Sequence, residues 1–130
     1  MEIEQGYETN GNHYLKRLGP IIRNFQVDDK DEDGNLRGKI NLYDSDKVIE
    51  KLSALPTYVH EAMLKRFDDS KTPLEYDKII LDKWGRKGSD TKRFVESPEM
   101  VFYRSAMAVA SGMVEKDSSL DYQETIKNIF

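Results

Sequence analysis

The stretch Ile21-Ile22-Arg23-Asn24-Phe25-Gln26-Val27-Asp28-Asp29-Lys30-Asp31-Glu32-Asp33-Gly34-Asn35-Leu36-Arg37-Gly38-Lys39-Ile40-Asn41-Leu42-Tyr43 decides the fold class. Ile21, Phe25 and Val27 fall on one face at period two, and Ile40 and Leu42 do the same. Between the two runs lies an acidic stretch ending in Asp33-Gly34, the signal of a tight reversal. An antiparallel β-hairpin with a long acidic tip is the expectation. Gly19-Pro20 argues against a helix continuing from Tyr14 into the first strand. Residues 1–44 therefore read as a β-rich, acidic part.

Outward from the hairpin the signals turn helical over 45–130. Ser45 can cap a helix with Val48, Ile49, Leu52 and Leu55 on its inner face, closed by Pro56. Thr57 or a neighbour starts a second, carrying Val59, Ala62, Met63 and Phe67. Thr72-Pro73-Leu74-Glu75 opens a third, which Trp84-Gly85 closes, with Gly85 free to take a left-handed conformation. Ser97-Pro98-Glu99 opens the longest, with Met100, Tyr103, Met107, Ala110 and Val114 at 3-4 spacing. Val101, Phe102, Ala106 and Val109 widen that stripe, which places this helix at the centre of the core. Ser118 or Ser119 can cap a last helix bearing Tyr122, Ile126 and Ile129. The expectation is a single α+β domain over 1–130, with a hairpin or small sheet packed on about five C-terminal helices.

Composition bounds the function. The chain has 130 residues, no cysteine and a formal charge of −4, which excludes a disulfide framework, Cys-ligated zinc, iron–sulfur clusters and thiol catalysis. No apolar run approaches the roughly 20 residues of a membrane helix. The start Met1-Glu2-Ile3-Glu4-Gln5 lacks the features of a signal peptide, so a cytoplasmic protein is expected. The charge divides as −4 over 1–50, +3 over 51–95 and −3 over 96–130. Two surfaces stand out, one acidic and one basic.

Asp29, Asp31, Asp33, Gly34 and Asn35 match the early positions of a calcium-binding loop, but Ile40 stands where the bidentate glutamate belongs. Neither a metal nor another cofactor is expected. Asp28, Asp29, Asp31, Glu32 and Asp33 instead form an acidic tip suited to a basic partner surface. The basic surface is Trp84-Gly85-Arg86-Lys87-Gly88-Ser89-Asp90-Thr91-Lys92-Arg93-Phe94, which resembles the GXXG loop of KH domains. That resemblance implies Gly85, Arg86, Lys87 and Gly88 on a single-stranded phosphate backbone, with Lys92 and Arg93 adding field.

Catalytic signatures are lacking. His13 and His60 are the only histidines, and His60-Glu61 has no second histidine four residues on. His60 is expected as a partly exposed helical residue. No Gly-x-Ser-x-Gly elbow and no nucleotide-binding glycine fingerprint occurs. A non-enzymatic protein is expected. On the long helix, Ser105, Ala108 and Gly112 would let another helix approach, or pack equally well inside the domain; Met100, Met107 and Met113 add adaptable surface.

Two patches, Leu55-Pro56-Thr57-Tyr58-Val59 and Phe102-Tyr103-Arg104-Ser105-Ala106 continuing to Gly112-Met113-Val114-Glu115-Lys116, are similar to an uncharacterised family of small accessory proteins from temperate phages of Gram-positive bacteria. The resemblance implies a protein that binds a host or defence protein as an inhibitor or modulator, with no assigned catalytic residues. A nucleic-acid binder acting through the Gly85–Gly88 region is the alternative.

Overall fold

The computed structural model describes residues 2–69, 73–88 and 93–130. Among these the order is α1 (Glu2–Arg23), β1 (Gln26–Lys30), β2 (Leu36–Asn41), α2 (Ser45–Ser53), α3 (Thr57–Asp69), α4 (Pro73–Trp84), α5 (Pro98–Lys116) and α6 (Tyr122–Ile129). The fold is α+β, and the strands pair as an antiparallel hairpin.

The main departure from expectation lies before the hairpin. Residues 21–23 are the last turn of a helix, not the start of a strand, and Pro20 sits inside that helix. Leu15, Leu18, Ile22 and Phe25 follow a 3.6-residue period, which puts Leu18 and Ile22 at 0% exposure and Phe25 at 6%. Proline near a helix end removes one amide and forces the preceding residue off its preferred geometry. Two wholly buried aliphatic side chains are each worth about 1.5–3 kcal/mol, which offsets that penalty. The helix stops at Asn24, whose Nδ2 and backbone N–H both donate to the Pro20 carbonyl, at 2.8 Å and 3.1 Å. The β part thus begins at Gln26, and the N-terminal third is helix followed by hairpin.

The five helices expected over 45–130 are present. Asp44 rather than Ser45 precedes α2, and Asp121 rather than Ser118 or Ser119 caps α6 by accepting from the Glu124 N–H at 3.1 Å. Ser97 caps α5 by accepting from the Met100 N–H, with Pro98 in the first turn. Thr72 lies outside the described residues. Gly85 does close α4, but with no left-handed backbone. A Cβ there would lie 2.8 Å from the Leu81 oxygen, so glycine serves close approach instead.

The core joins α1, α2, α3, α5, α6 and the base of the hairpin, with α4 contributing Leu81. Phe25 stacks edge-on against Tyr43 at 5.4 Å and beside Phe67 at 5.7 Å, fixing where the hairpin leaves the body. Met100, Val101, Tyr103, Ala106 and Ala110 of α5 are buried, whereas Phe102 and Val109 face outward, so the buried stripe is narrower than the sequence suggests.

Leu18→Ala and Ile22→Ala are each expected to lower stability by about 2–5 kcal/mol, read as a shift of the urea midpoint at unchanged slope. Ile21→Ala, at the half-buried flank, should cost clearly less. Equal losses at Ile21 and Ile22 would contradict the helical register.

Candidate functional site

The hairpin is a twisted ribbon with a bulge. Gln26 faces Asn41, Val27 faces Ile40, Asp28 faces Lys39 and Asp29 faces Gly38, after which Lys30 faces Leu36. Arg37 is the extra residue, and Gly38 at φ 135° supplies a conformation that side chains resist. The tip is built on Asp31, whose Oδ1 accepts from the Asp33 N–H at 3.0 Å and the Asn35 N–H at 2.8 Å. Gly34 at φ 83° completes the reversal.

The five predicted acids therefore divide by role. Asp28 pairs across the ribbon with Lys39 at 3.5 Å, an exposed pair of little energetic weight. Asp29 lies half-buried on the same ribbon face as Val27. Asp31 folds the turn. Glu32 and Asp33 project into solvent, followed closely by Leu36 at 64% exposure. No group of three or more histidines and carboxylates among the described residues is placed to hold a metal ion.

The basic segment is a rung rather than an open loop. Gly85, Arg86 and Gly88 donate their N–H groups to the Leu81 carbonyl at 2.8 Å, Glu96 Oε1 at 3.0 Å and the Arg93 carbonyl at 3.1 Å. Lys87 bridges Phe94, and Phe94 in turn bridges Tyr43. Three of the four GXXG amides are thus engaged within the chain and not free for a phosphate. The Lys87 ammonium lies 5.1 Å from the Phe94 ring centre. Arg86 and Arg93 are exposed at the surface, and Lys92 lies outside the described residues.

Between the inner ribbon face and α4 runs a cleft of about 800 Å³. Val27, Ile40, Leu42 and Phe94 give it apolar lining. Asp28, Asp29, Lys30 and Lys39 line it from the ribbon, Glu75, Lys78 and Asp82 from the helix, and Lys87 from the rung. Parts of the two surfaces predicted separately thus meet around one cleft. Asp31, Glu32 and Asp33 stay at the distal tip and Gly85, Arg86, Gly88 and Arg93 outside the lining. Each wall carries its own ion pair, Asp28–Lys39 and Lys78–Asp82, the latter at 3.2 Å. Asn41 also lines the cleft, and its Oδ1 is buried with no hydrogen-bond partner among the described residues.

One wall of this cleft is held by charges the sequence reading missed. The Arg66 guanidinium donates to Glu99 at 2.5 Å and 2.9 Å and to Asp77 at 2.5 Å. The Tyr43 hydroxyl donates to the other Asp77 oxygen. Asp77 is fully buried and Glu99 is 5% exposed. Burial raises the Asp77 pKa above the usual carboxylate range, with Arg66 and Tyr43 acting against it. Burial opposes the Arg66 charge too, but the bonds to Glu99 and Asp77 outweigh it and hold that pKa above its ordinary value. Asp77 and Leu81, four residues apart on α4, share its core face; that spacing was the available signal.

A second clasp is Glu96, which accepts from Arg104 at 2.6 Å and 2.9 Å as well as from the Arg86 N–H. Arg104 also reaches the Trp84 carbonyl at 3.0 Å, so the rung is fastened to α5. His60 corrects an expectation: it is 3% exposed, with Nε2 against the Leu52 carbonyl and Nδ1 buried without a partner among the described residues.

Arg66→Met should destabilise by about 3–5 kcal/mol, because two buried carboxylates lose their cation. Asp77→Asn should cost less, since burial already disfavours the charge it removes; the reverse order would refute the clasp. Alkaline titration offers a second check. Burial and the neighbouring Tyr103 push Tyr58 up to about 12, and burial and Asp77 raise Tyr43 well above 10.0. The stability these two hydroxyls contribute is full below pH 10 and lost as pH rises through their raised values, about 12 for Tyr58. Tyrosinate absorbance should show late-ionising residues, fewer in Tyr43→Phe and Tyr58→Phe, with unfolding in that window. Compared with known proteins, the chain matches no family model, no curated protein and no solved structure.

Proposed function

We propose that the chain is a non-enzymatic protein-binding module that docks through the end of its hairpin. The observation that carries this reading is the tip itself. Glu32 and Asp33 project near Leu36, the most exposed large apolar side chain among the described residues, on a ribbon shaped by the Asp31 turn and the Gly38 bulge. An apolar contact with carboxylates on its tip side, and Lys30 and Arg37 on the other, is the chemistry of a steered protein interface: charge accelerates encounter, and burial of the leucine slows release. The partner this fits has an apolar recess within a basic surface, as proteins that process nucleic acid do. The similarity of residues 55–59, 102–106 and 112–116 to small phage accessory proteins supports an inhibitor or modulator of a host or defence protein of that class.

The test is affinity capture from a nuclease-treated bacterial lysate, comparing wild type with the triple variant Glu32→Gln, Asp33→Asn, Leu36→Ser. Asp31 is left intact so that the turn persists. Wild type should retain a protein despite nuclease, and the variant should lose it, with association several-fold slower at low salt. Equal capture by the variant would sink the proposal. Loss of capture on nuclease treatment would favour instead the nucleic-acid reading through Arg86, Lys87, Lys92 and Arg93.

A further inference from the structure

The outer face of α5 is unlike the rest of the surface. Residues 105–114 form the longest uncharged run in a chain that is 34% charged. On that helix Phe102, Ser105, Val109, Gly112 and Lys116 lie along one line at 3-4-3-4 spacing, all of them exposed. Phe102 is 38%, Val109 53% and Met113 42% exposed, and nothing lies within 4 Å of a Cβ built on Gly112. Spacing of this kind is the seam of a helix pair.

The seam is large and small in alternation: Phe102 and Val109 occupy one heptad position, Ser105 and Gly112 the other. Two such helices run parallel would stack large on large and small on small. Run antiparallel, with their two-fold near residue 107, they would set Phe102 over the partner copy's Gly112 and Val109 against its Ser105. Every layer then joins one large and one small side chain, so the face is complementary to itself in that sense alone. We infer that this face of α5 is the interface of a reversible antiparallel dimer, its occupant a second copy of the chain.

Area sets the strength. Covering the exposed parts of Phe102, Val109 and Met113 with the small residues between them would remove about 400–500 Å² per copy, or about 900 Å² in all, below the roughly 1,200 Å² of stable interfaces. A concentration-dependent dimer is therefore expected, not an obligate one. The seam lies on a different element from the hairpin, so the inference stands whether or not the tip binds a protein.

The chain has no native cysteine, so engineered thiols report the pairing directly. Ser105→Cys and Val109→Cys proteins, mixed and gently oxidised, should give a disulfide-linked heterodimer, because those positions would face one another across the pair. Either alone should link poorly. Sedimentation equilibrium of the wild type should show mass rising with concentration toward that of two chains. Gly112→Leu should remain monomeric, its thermal midpoint not lowered, since the leucine improves helix propensity and meets open space. A wild type that stays monomeric throughout would overturn the inference. So would efficient self-linking of Ser105→Cys alone, which reports parallel pairing, or dimerisation unaffected by Gly112→Leu.

Discussion

The guanidinium of Arg66, held between Asp77 and Glu99, is the constraint on which the rest of the molecule is arranged. It reaches from α3 to α4 on one side and to α5 on the other, and Tyr43 adds the base of the hairpin through Asp77. The α4 helix needs this tie. Among its described side chains, Leu81 is the one apolar residue in the core, and Tyr76, Ile79 and Trp84 are exposed. An amphipathic helix normally docks by its apolar stripe. Here a buried carboxylate does much of that work, and the guanidinium lies 4.6 Å from the Phe67 ring centre and 5.1 Å from that of Tyr76. A buried ion pair contributes little net stability, but it is unforgiving of a missing partner. The cluster therefore fixes where α4 sits more than how firmly the domain folds.

Position matters because α4 forms one wall of the cleft. The other wall is the ribbon, anchored at its base by Phe25, Leu42 and Tyr43, with Val27 packed against the core. Residues 93–95 run beside 42–44 and beside 86–88, and Glu96 fastens that rung to α5 through Arg104. Two carboxylates, Asp77 and Glu96, thus each pair with an arginine and immobilise a neighbouring segment. The hairpin beyond them is stabilised chiefly by its own turn chemistry. That division is why the tip can differ in charge without disturbing the core.

Much of this was legible from the sequence, for identifiable reasons. The five C-terminal helices carry caps, breakers and apolar periods that agree with one another, and Ser97-Pro98 reads the same way in sequence and structure. The hairpin is marked by Asp33-Gly34 between two apolar runs. What misled was Gly19-Pro20. Local chemistry there opposes a helix, and only tertiary burial of Leu18 and Ile22 decides otherwise. The acidic tip was visible as a charge count, but not the distinction between Asp31, which folds the turn, and Glu32 and Asp33, which face solvent. The Arg66 cluster was illegible because its members are 11 and 33 residues apart and each resembles an ordinary surface charge. GXXG was legible as a pattern but not as a geometry, since its engaged amides depend on Glu96 and Arg93.

The α5 helix gathers these facts into one physical point. Its inner side buries Glu99 at 5% exposure, while its outer side leaves Val109 at 53%. The usual partition of charge outward and apolar surface inward is thus reversed on two turns of the same helix. The inner half of that reversal is explained within the chain, because Arg66 neutralises Glu99. The outer half has no counterpart within the described residues. A solvated helix face gains nothing from Val109 and Met113 that lysine or glutamate would not supply with better solubility. Glycine at 112 also weakens the helix relative to alanine unless something must approach its backbone. A helix that resolves its buried charge so completely, yet leaves a glycine-notched apolar seam in solvent, is built for two contacts. One is the interior it already has, and the other is a helix laid along its outer face.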